Sequence, residues 1–261
     1  MKVSVIIVNY NTPDLVINCL SSLEKNFQVP FEVIIVDNGC EKRMDSEKLS
    51  EFPNVRYFFL ESNRGFGAGN NFGASKSTGD ILWLLNSDTL VPDRSINQAI
   101  DFLEKNSSIG ILSPLLFNDR DLKVFQTDMY ASFQTLKSLI ARKIRPLLDS
   151  KKEFFETDLV VGASMLIRQE LFQKLGGFDE KIFMFFEDDD LCYRVRQQGY
   201  SVGIYNRAKI IHLQGRSIQK NSSRKRMYYQ SQDYFWSKHY GFLPTLLMKI
   251  IRWPVKIKNT L

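Results

Sequence analysis

The chain has 261 residues, of which 44% are hydrophobic and 25% are charged, and its formal net charge is +6. This composition is typical of a globular domain and excludes a disordered or fibrous chain. No apolar stretch reaches about 18 residues and the first residues have no basic region, so neither a membrane-spanning helix nor a secretory signal is expected. The three cysteines are odd in number and widely spaced, which favours unlinked thiols in a reducing, cytoplasmic compartment.

The predicted elements begin with two short β-branched runs, residues 3–8 and 31–36, that are typical of buried parallel strands. Between them, apolar residues recur at helical spacing from Leu15 to Phe27. Thr12 is placed to cap this helix and Pro13 occupies its first position. A strand, a helix and a strand within so short a segment predict a right-handed βαβ unit.

The alternation of strands and helices continues along the chain. Further strands are predicted at residues 55–60, 80–85, 110–113, 159–167, 201–205 and 209–213. Further helices are predicted at residues 69–76, 95–105, 169–175, 222–240 and 243–251. Another helix is predicted after the acidic segment and ends at residue 198. Residues 119–156 have weak periodicity and are interpreted as a variable insertion, helical around residues 133–143. The pattern predicts an α/β fold whose front half is a doubly wound sheet, with a ligand crevice beyond the carboxyl ends of its strands.

Polar residues follow three of these strands at the point where each strand ends. They are Asn9, Asn11, Asp37, Asn38, Asn86 and Asp88. Their convergence at one sheet edge is the first sign of a site. Asp88, just past a buried strand, is well placed to bind a divalent cation that bridges phosphate oxygens. Taken alone, however, residues 86–88 are better explained as an Asx turn.

A loop with three glycines and three asparagines, residues 63–71, precedes a predicted helix. Glycines such as Gly65 and Gly69 let backbone amides approach a ligand, and a helix N-terminus favours an anion. The GxGxG pattern follows the third strand and lacks the final glycine spacing, which excludes a dinucleotide-binding dehydrogenase. A flexible loop would explain the glycines but not the asparagines, Asn63 among them.

Four consecutive carboxylates at residues 187–190 begin a predicted helix, where the helix dipole stabilises them. Asp190 and Arg194 are spaced to pair on the helix surface. An acidic helix cap explains one or two of the four, but not the phenylalanines at positions 183, 185 and 186. Carboxylates beside an aromatic wall favour a partly desolvated group suited to general base catalysis. His212 ends a strand and, like His239, is taken alone as a structural residue.

Taken together in this order, the segments resemble the nucleotide-diphosphate-sugar glycosyltransferases of family 2, and most closely the bacterial rhamnosyltransferase-like branch. The matching motifs, over roughly residues 3–217, are VIIVNYN, VDN, NRGFGAGNN, LNSDT, GASML, GGFDE and EDDDL. Each motif is weak alone, but seven in the right order are specific. The resemblance implies a GT-A fold, with a nucleotide-binding half at about residues 1–115 and an acceptor-binding half at about residues 156–217. Residues 218–261 would be a basic helical extension.

The resemblance also implies an inverting, single-displacement reaction that depends on Mg²⁺ or Mn²⁺. Asp37 would hold the uridine or thymidine moiety of a nucleotide-sugar donor. Asp88 would bind the metal ion on the diphosphate, with His212 as a second ligand. Asp188 would deprotonate the acceptor hydroxyl, and Glu187 would orient the acceptor or the donor sugar. The other residues implied for the donor pocket are Asn9, Asn11, Asn38, Asn63, Gly65, Gly69 and Asn86.

Several alternatives stay open. The metal motif is Asn-Ser-Asp where many relatives carry Asp-x-Asp or Asn-Pro-Asp, so only Asp88 can supply a carboxylate there. The base is ambiguous between Asp188 and Asp189, with Asp188 preferred by motif position. The first choice of donor is dTDP-rhamnose, while a UDP-hexose or UDP-N-acetylhexosamine remains open. The expected acceptor is a cell-surface polysaccharide or a polyprenyl-linked glycan.

Two other classes of protein were weighed against a glycosyltransferase. A nucleotide-sugar binding protein without catalysis would have the same pocket, but the intact Glu187 and Asp188 argue against it. A nucleotidyltransferase would need a basic, glycine-rich phosphate loop after the first strand, and residues 9–12 offer none.

Charge is distributed unevenly along the chain. From residue 205 onward there are twelve Lys and Arg residues against one acid, Asp233, whereas the first 204 residues carry 23 basic and 28 acidic residues. A basic tail favours an anionic partner, and no nucleic acid is expected. Residues 242–253 mix apolar residues with cations, as amphipathic surface helices do. This segment is therefore expected to dock on the inner face of the cell membrane or to pack its apolar face on the domain, and Leu246, Leu247 and Ile250 would serve either arrangement. Both also hold together if the helix is packed and only its basic rim contacts lipid.

Overall fold

The computed structural model of the chain describes residues 1–122, 152–213 and 222–258. The strands are β1 (Val3–Asn9), β2 (Phe31–Asn38), β3 (Val55–Leu60), β4 (Ile81–Leu85), β5 (Thr89–Leu90), β6 (Ile109–Phe117), β7 (Phe154–Glu156), β8 (Ser164–Arg168) and β9 (Ser201–His212). The helices are α1 (Pro13–Asn26), α2 (Ser46–Ser50), α3 (Phe66–Lys76), α4 (Ser95–Lys105), α5 (Gln169–Lys174), α6 (Glu187–Gln197), α7 (Ser222–Tyr240) and α8 (Phe242–Lys258).

Within these ranges the strands form one mixed sheet in the order β3-β2-β1-β4-β8-β6-β9-β5, and β7 also pairs with β9. The first four strands are parallel to one another, as the sequence predicts for the front half. β8 lies antiparallel between β4 and β6 and joins the two halves. β4 is buried at every position, which explains why it reads as a continuous apolar run.

The strand register brings the polar strand ends to one edge of the sheet. Asn9, the last residue of β1, pairs with Asp37 near the end of β2. Helix α1 begins at Pro13 as predicted, but the expected cap by the Thr12 side chain is wrong. The Thr12 amide and hydroxyl both donate to Asn9 Oδ1, at 3.0 and 2.9 Å. The hydroxyl therefore ties α1 to the end of β1 instead of capping its own helix.

The back half differs from the sequence prediction in its strand boundaries. The two strands predicted at 201–205 and 209–213 are one strand, β9. Its pairing with β6 shifts so that Tyr205 lies opposite Pro114 and Lys209 lies opposite Leu115. Residues 206–208 are therefore extra on the β9 side, a bulge that interrupts the apolar alternation without ending the strand. The predicted strand at 159–167 is confined to β8.

Three short elements were not predicted: α2, β5 and β7. β7 falls at the end of the segment interpreted as an insertion and pairs antiparallel with β9. The helix predicted around residues 133–143 lies outside the described residues. Helix α3 begins three residues before the predicted start, at Phe66.

The C-terminal helices α7 and α8 follow each other across Gly241, whose φ is +81°. Phe235 and Trp236 of α7 form a small core with Phe186 and with Met248 of α8. Among the described residues, no helix is both long enough and apolar enough to cross a membrane.

Candidate active site

A buried network surrounds Asp37 at the end of β2. Its Oδ1 accepts a hydrogen bond from Asn9 Nδ2 at 2.9 Å, and its Oδ2 accepts one from the Tyr57 hydroxyl at 2.6 Å. The Cys40 thiol lies beside them, where burial and the neighbouring carboxylate raise its pKa to about 12. Asn11 has a φ of +57°, and its backbone amide donates to Cys40 Sγ at 3.0 Å. The structure thus brings together Asn9, Asn11 and Asp37, three of the residues implied for the donor pocket.

Tyr57 and Cys40 are members of this network that sequence reasoning missed. Burial and the Asp37 carboxylate raise the pKa of Tyr57, so its hydroxyl stays protonated and acts as a donor. A signal existed for Tyr57, since residues at alternate positions of a strand point to the same face. Phe59 of β3 pairs with Asp37, which places Tyr57 one alternate position along that strand.

Asn38 fixes the glycine-rich loop to the end of β2. Its Nδ2 donates to Asn63 Oδ1 at 3.1 Å and to the Gly65 carbonyl at 3.0 Å, while its Oδ1 accepts from the Arg64 amide at 3.1 Å. Asn71 reaches the other way and bonds both backbone groups of Phe178. The asparagines of the loop therefore have a structural explanation that the sequence did not supply.

Close packing explains the glycines at these positions. Gly65 has a φ of +90°, and a Cβ there would lie 2.3 Å from the Phe183 carbonyl oxygen. A Cβ on Gly69 would lie 2.9 Å from a methyl group of Val8, so the glycine lets α3 approach β1. The contacts that require these glycines are with protein, and their part in donor binding stays a prediction.

Asp88 and His212 lie side by side, although 124 residues separate them in the sequence. The antiparallel pairing of β5 with β9 sets Thr89 opposite His212. As a result His212 Nε2 lies 3.3 Å from Asp88 Oδ1, and both side chains are buried. Asn86, at the start of the same turn, is partly exposed.

This pair fits a divalent cation. Two ligand atoms that bind one octahedral ion at about 2.1 Å lie about 3 Å apart, close to the observed separation. A carboxylate and an imidazole are both ligands that divalent metals accept. No group of three or more such side chains occurs among the described residues, so the remaining ligands would come from the donor diphosphate and water.

The candidate base, Asp188, lies in the first turn of α6, directly after a strained turn. Phe185 and Phe186 both have a φ of +65°, a conformation that non-glycine residues rarely adopt. Phe186 is held there by ring contacts with Tyr228 and Phe235, at centroid distances of 5.3 and 5.6 Å. These ring contacts hold the strained turn in place and so fix the direction of the first carboxylates of the helix.

Glu187 and Asp188 have unusual surroundings for carboxylates. Glu187 is buried, and among the described residues its Oε2 has no hydrogen-bond partner. Burial, with the adjacent charge of Asp188, raises the pKa of Glu187 well above its ordinary value. Asp188 accepts from the Gly162 amide at 3.2 Å, and burial raises its pKa despite that bond. A raised pKa and an unbonded buried oxygen are typical of a group that meets a substrate.

Asp190 differs from Glu187 and Asp188, because its carboxylate is paired with cationic side chains. It is fully buried, and it accepts from Arg194 Nε at 2.7 Å, as predicted, and from Lys238 Nζ at 2.6 Å. His239 Nε2 lies 2.7 Å from the same carboxylate. Burial alone would raise the pKa of Asp190, but His239, Arg194 and Lys238 together lower it to about 2. His239 is thus a structural residue, as expected.

The fold is the GT-A fold of glycosyltransferases. The structure resembles GalNAc-T7 bound to UDP, GalNAc and Mn²⁺, with a TM-score of 0.69 and 20% identity, over 91% of this chain and 50% of that chain. It also resembles the mannosyltransferase PcManGT of Pyrobaculum calidifontis in complex with GDP-Man and Mn²⁺. That TM-score is 0.65 at 18% identity, over 90% of this chain and 63% of that chain. The chain therefore spans about half to two thirds of the length of these two structures.

The chain belongs to glycosyl transferase family 2, whose model matches residues 4–176. The model described as the N-terminal domain of galactosyltransferase matches residues 147–216. The chain is 24% identical, over 81% of its length and 67% of the relative, to a low-salt glycan biosynthesis hexosyltransferase of Haloferax volcanii.

Two further relatives carry names that specify a lipid-linked substrate. The N-acetylglucosaminyl-diphospho-decaprenol L-rhamnosyltransferase of Mycobacterium tuberculosis is 23% identical over 98% of this chain and 91% of the relative. The UDP-Gal:alpha-D-GlcNAc-diphosphoundecaprenol beta-1,3-galactosyltransferase of Escherichia coli is 32% identical over 43% of this chain and 42% of the relative. The chain is accordingly an enzyme of the glycosyltransferase class.

Proposed function

We propose that the enzyme transfers a sugar from a nucleotide-diphosphate donor to a glycan linked to polyprenyl diphosphate, with inversion at the anomeric carbon. One observation carries the proposal. The Asn86 amide donates to the Ala163 carbonyl at 3.0 Å, and the Gly162 amide donates to Asp188. Two adjacent residues thus join the turn that holds Asp88 to the candidate base, so the diphosphate and the acceptor hydroxyl would meet in one site.

In this proposal each group has a separate task. Asp188 takes the proton of the acceptor hydroxyl as that oxygen attacks the anomeric carbon, and its raised pKa suits a base that works near neutral pH. Glu187 orients the sugar through its unbonded oxygen. Asp88 and His212 hold Mg²⁺ or Mn²⁺, which would stabilise the negative charge on the leaving diphosphate.

The first choice of donor is dTDP-rhamnose, supported by the rhamnosyltransferase relative that aligns over nearly the whole chain. A UDP-hexose or UDP-N-acetylhexosamine is the second choice, supported by the galactosyltransferase relative. Both relatives are named for acceptors on a polyprenyl diphosphate, which supports the same class of acceptor here. An acceptor could enter through a groove of about 150 Å³ between the loop at residues 181–183 and α7, where Phe183 is exposed.

The test is a panel of dTDP- and UDP-sugars, with Mn²⁺, Mg²⁺ or EDTA, and a synthetic N-acetylglucosaminyl-diphospho-lipid as acceptor. We expect metal-dependent transfer from one donor of the panel, with the opposite anomeric configuration in the product by NMR. Asp88→Asn should abolish metal-dependent donor binding in calorimetry, while Asp101→Asn, an exposed aspartate on α4, should bind as the wild type does. Metal-independent transfer, or retention of configuration, would contradict the proposal.

A nucleotide-sugar binding protein without catalysis is separated by the same experiment. Such a protein would bind one donor with metal dependence but would neither hydrolyse it nor transfer its sugar. The raised pKa of the Asp188 carboxyl favours the enzyme, since a general base is needed for transfer and not for binding alone.

A further inference from the structure

Most apolar side chains of α8 between residues 242 and 252, where its burial is described, face solvent. The buried residues of this range are Thr245, Met248 and Arg252, which lie on one side of the helix. Six large apolar residues are exposed on the other side: Phe242, Leu243, Leu246, Leu247, Ile250 and Ile251. At 100° per residue these six cover about half of the helix circumference without a gap. This set is called the α8 face below.

The exposure of the α8 face contradicts the arrangement in which these apolar residues pack on the domain. Leu246, Leu247 and Ile250 are 43%, 45% and 58% exposed. They are therefore not the residues by which α8 packs on the domain; Met248, with a guanidinium–carboxylate pair between Arg252 and Asp233, makes that contact. A contiguous apolar surface of this kind on a protein rich in charge marks an interaction site.

Cations accompany the α8 face at one end. Arg252 of α8 lies over the ring of Tyr229, 4.9 Å from its centroid, so α7 and α8 run antiparallel across Gly241. The first turns of α7, with exposed Lys225 and Arg226, therefore lie beside the last turns of α8. An apolar face with basic residues at its rim is the pattern of a helix that lies in a membrane interface.

We infer that the α8 face docks the enzyme on an anionic lipid surface. Charge selects lipid over a second copy of the chain as the occupant. The segment after residue 204 carries twelve basic residues and one acid, so two such segments would repel each other, whereas anionic headgroups attract them. The exposed side chains of α8 enter the acyl boundary while the basic rim contacts phosphates.

Docking would place the candidate site close to the lipid. Met248 on the inner side of α8 packs in the same small core as Phe186, which directly precedes Glu187. One layer of side chains thus separates α8 from the turn at residues 185–186, which directly precedes the candidate site residues Glu187 and Asp188. The inference deepens the proposed function, because a polyprenyl-linked acceptor would be presented at that surface.

Vesicle co-sedimentation of the full chain, without donor, tests the docking. We expect binding to vesicles of equal parts phosphatidylglycerol and phosphatidylcholine at low salt, and weak binding to phosphatidylcholine alone. Leu247→Gln with Ile250→Gln should lower the partition coefficient about 100-fold, since each buried side chain contributes about tenfold. Leu247→Met with Ile250→Met, which keeps the face apolar, should bind as the wild type does.

The electrostatic part has its own matched pair. Lys225→Gln with Arg226→Gln should weaken binding to the anionic vesicles by about tenfold or more. Lys48→Gln with Lys174→Gln, which removes two exposed lysines from other surfaces, should leave it unchanged. Equal binding by all variants, or none by the wild type, would overturn the inference. Self-association that the Leu247 and Ile250 glutamines abolish, without vesicle binding, would instead assign the α8 face to a second copy.

Transfer to a water-soluble acceptor separates this inference from the proposed function. The glutamine variants of the α8 face should retain that activity, because none of the changed residues lies in the site. Transfer without vesicle binding would disprove docking alone. Vesicle binding without transfer from any donor would disprove the proposed function and leave docking standing.

Discussion

Glu187 is buried and Asp188 is partly buried in the first turn of α6. The first prediction concerns Asp188 as the base. Asp188→Asn should keep donor affinity and lower the transfer rate by about 10²–10⁴, because a base acts in the chemical step and not in ground-state binding. Calorimetry with donor and a single-turnover transfer assay measure the two quantities. If Asp189→Asn shows this behaviour while Asp188→Asn stays active, the base is Asp189.

Glu187 gives a prediction about stability and pH. Its pKa in the folded protein is raised above its ordinary value of about 4.5, so ionisation of Glu187 destabilises the folded state relative to the unfolded state. That penalty is full above the raised pKa and disappears as the pH falls through it towards 4.5. At pH 8 the free energy of unfolding of Glu187→Gln, measured in urea, should therefore exceed that of the wild type by about 1–3 kcal/mol. This difference should shrink at acid pH. Glu24→Gln, on the exposed side of α1, should show no such trend.

Single residues differ in how far the sequence could predict them. The polar strand ends, such as Asp37 and Asp88, follow from apolar runs that stop at the same edge. The pairing of Asp88 with His212 needed the resemblance, because only the antiparallel contact of β5 with β9 brings them together. The roles of Asn38 and Asn71 could not be predicted, since their partners are backbone groups of loops whose path no local pattern specifies.

At the scale of elements, the link between the glycine-rich loop and the catalytic turn can be tested at Gly65. Both Gly65 and Gly199 have positive φ, +90° and +83°, so alanine is strained at either position. Only at Gly65 would a Cβ also meet backbone, the Phe183 carbonyl oxygen. Gly65→Ala should lower the free energy of unfolding by about 2 kcal/mol more than Gly199→Ala in urea titrations. Equal losses would show that the loop yields without cost.

Element boundaries were predicted well where the pattern is local and poorly where pairing decides. α7 has the predicted bounds, and β3 does as well. β9 was divided in two because the bulge at residues 206–208 breaks its alternation, while β6 pairs with β9 on both sides of the bulge and keeps the strand continuous. β5 has two residues, too few for any periodicity, and exists only through its pairing with β9.

At the scale of the whole molecule, the mixed sheet and its crevice followed from the order of strands and helices. The sequence did not predict how the basic C-terminal helices attach to the sheet domain, because the attachment depends on buried contacts between elements that no local pattern specifies. Asp190 of α6 contacts Lys238 and His239 of α7. The small core of Phe186, Phe235, Trp236 and Met248 lies beside it. We therefore expect the helices to unfold together with the sheet.

Asp190→Asn should lower the free energy of unfolding at pH 7 by about 3 kcal/mol, because it removes the buried carboxylate that pairs with Arg194 and Lys238 and leaves Lys238 with Asp179 alone. Glu153→Gln, which breaks the exposed pair with Arg207, should cost about 1 kcal/mol or less. The pKa of Asp190 is lowered to about 2, below its ordinary value of about 3.8. Its stabilisation is therefore present above about pH 4 and lost as the pH falls towards 2, so the difference from the wild type should shrink there. Urea unfolding followed by tryptophan fluorescence and by circular dichroism measures both effects. Two separate transitions in the wild type would show that the helices are an independent unit.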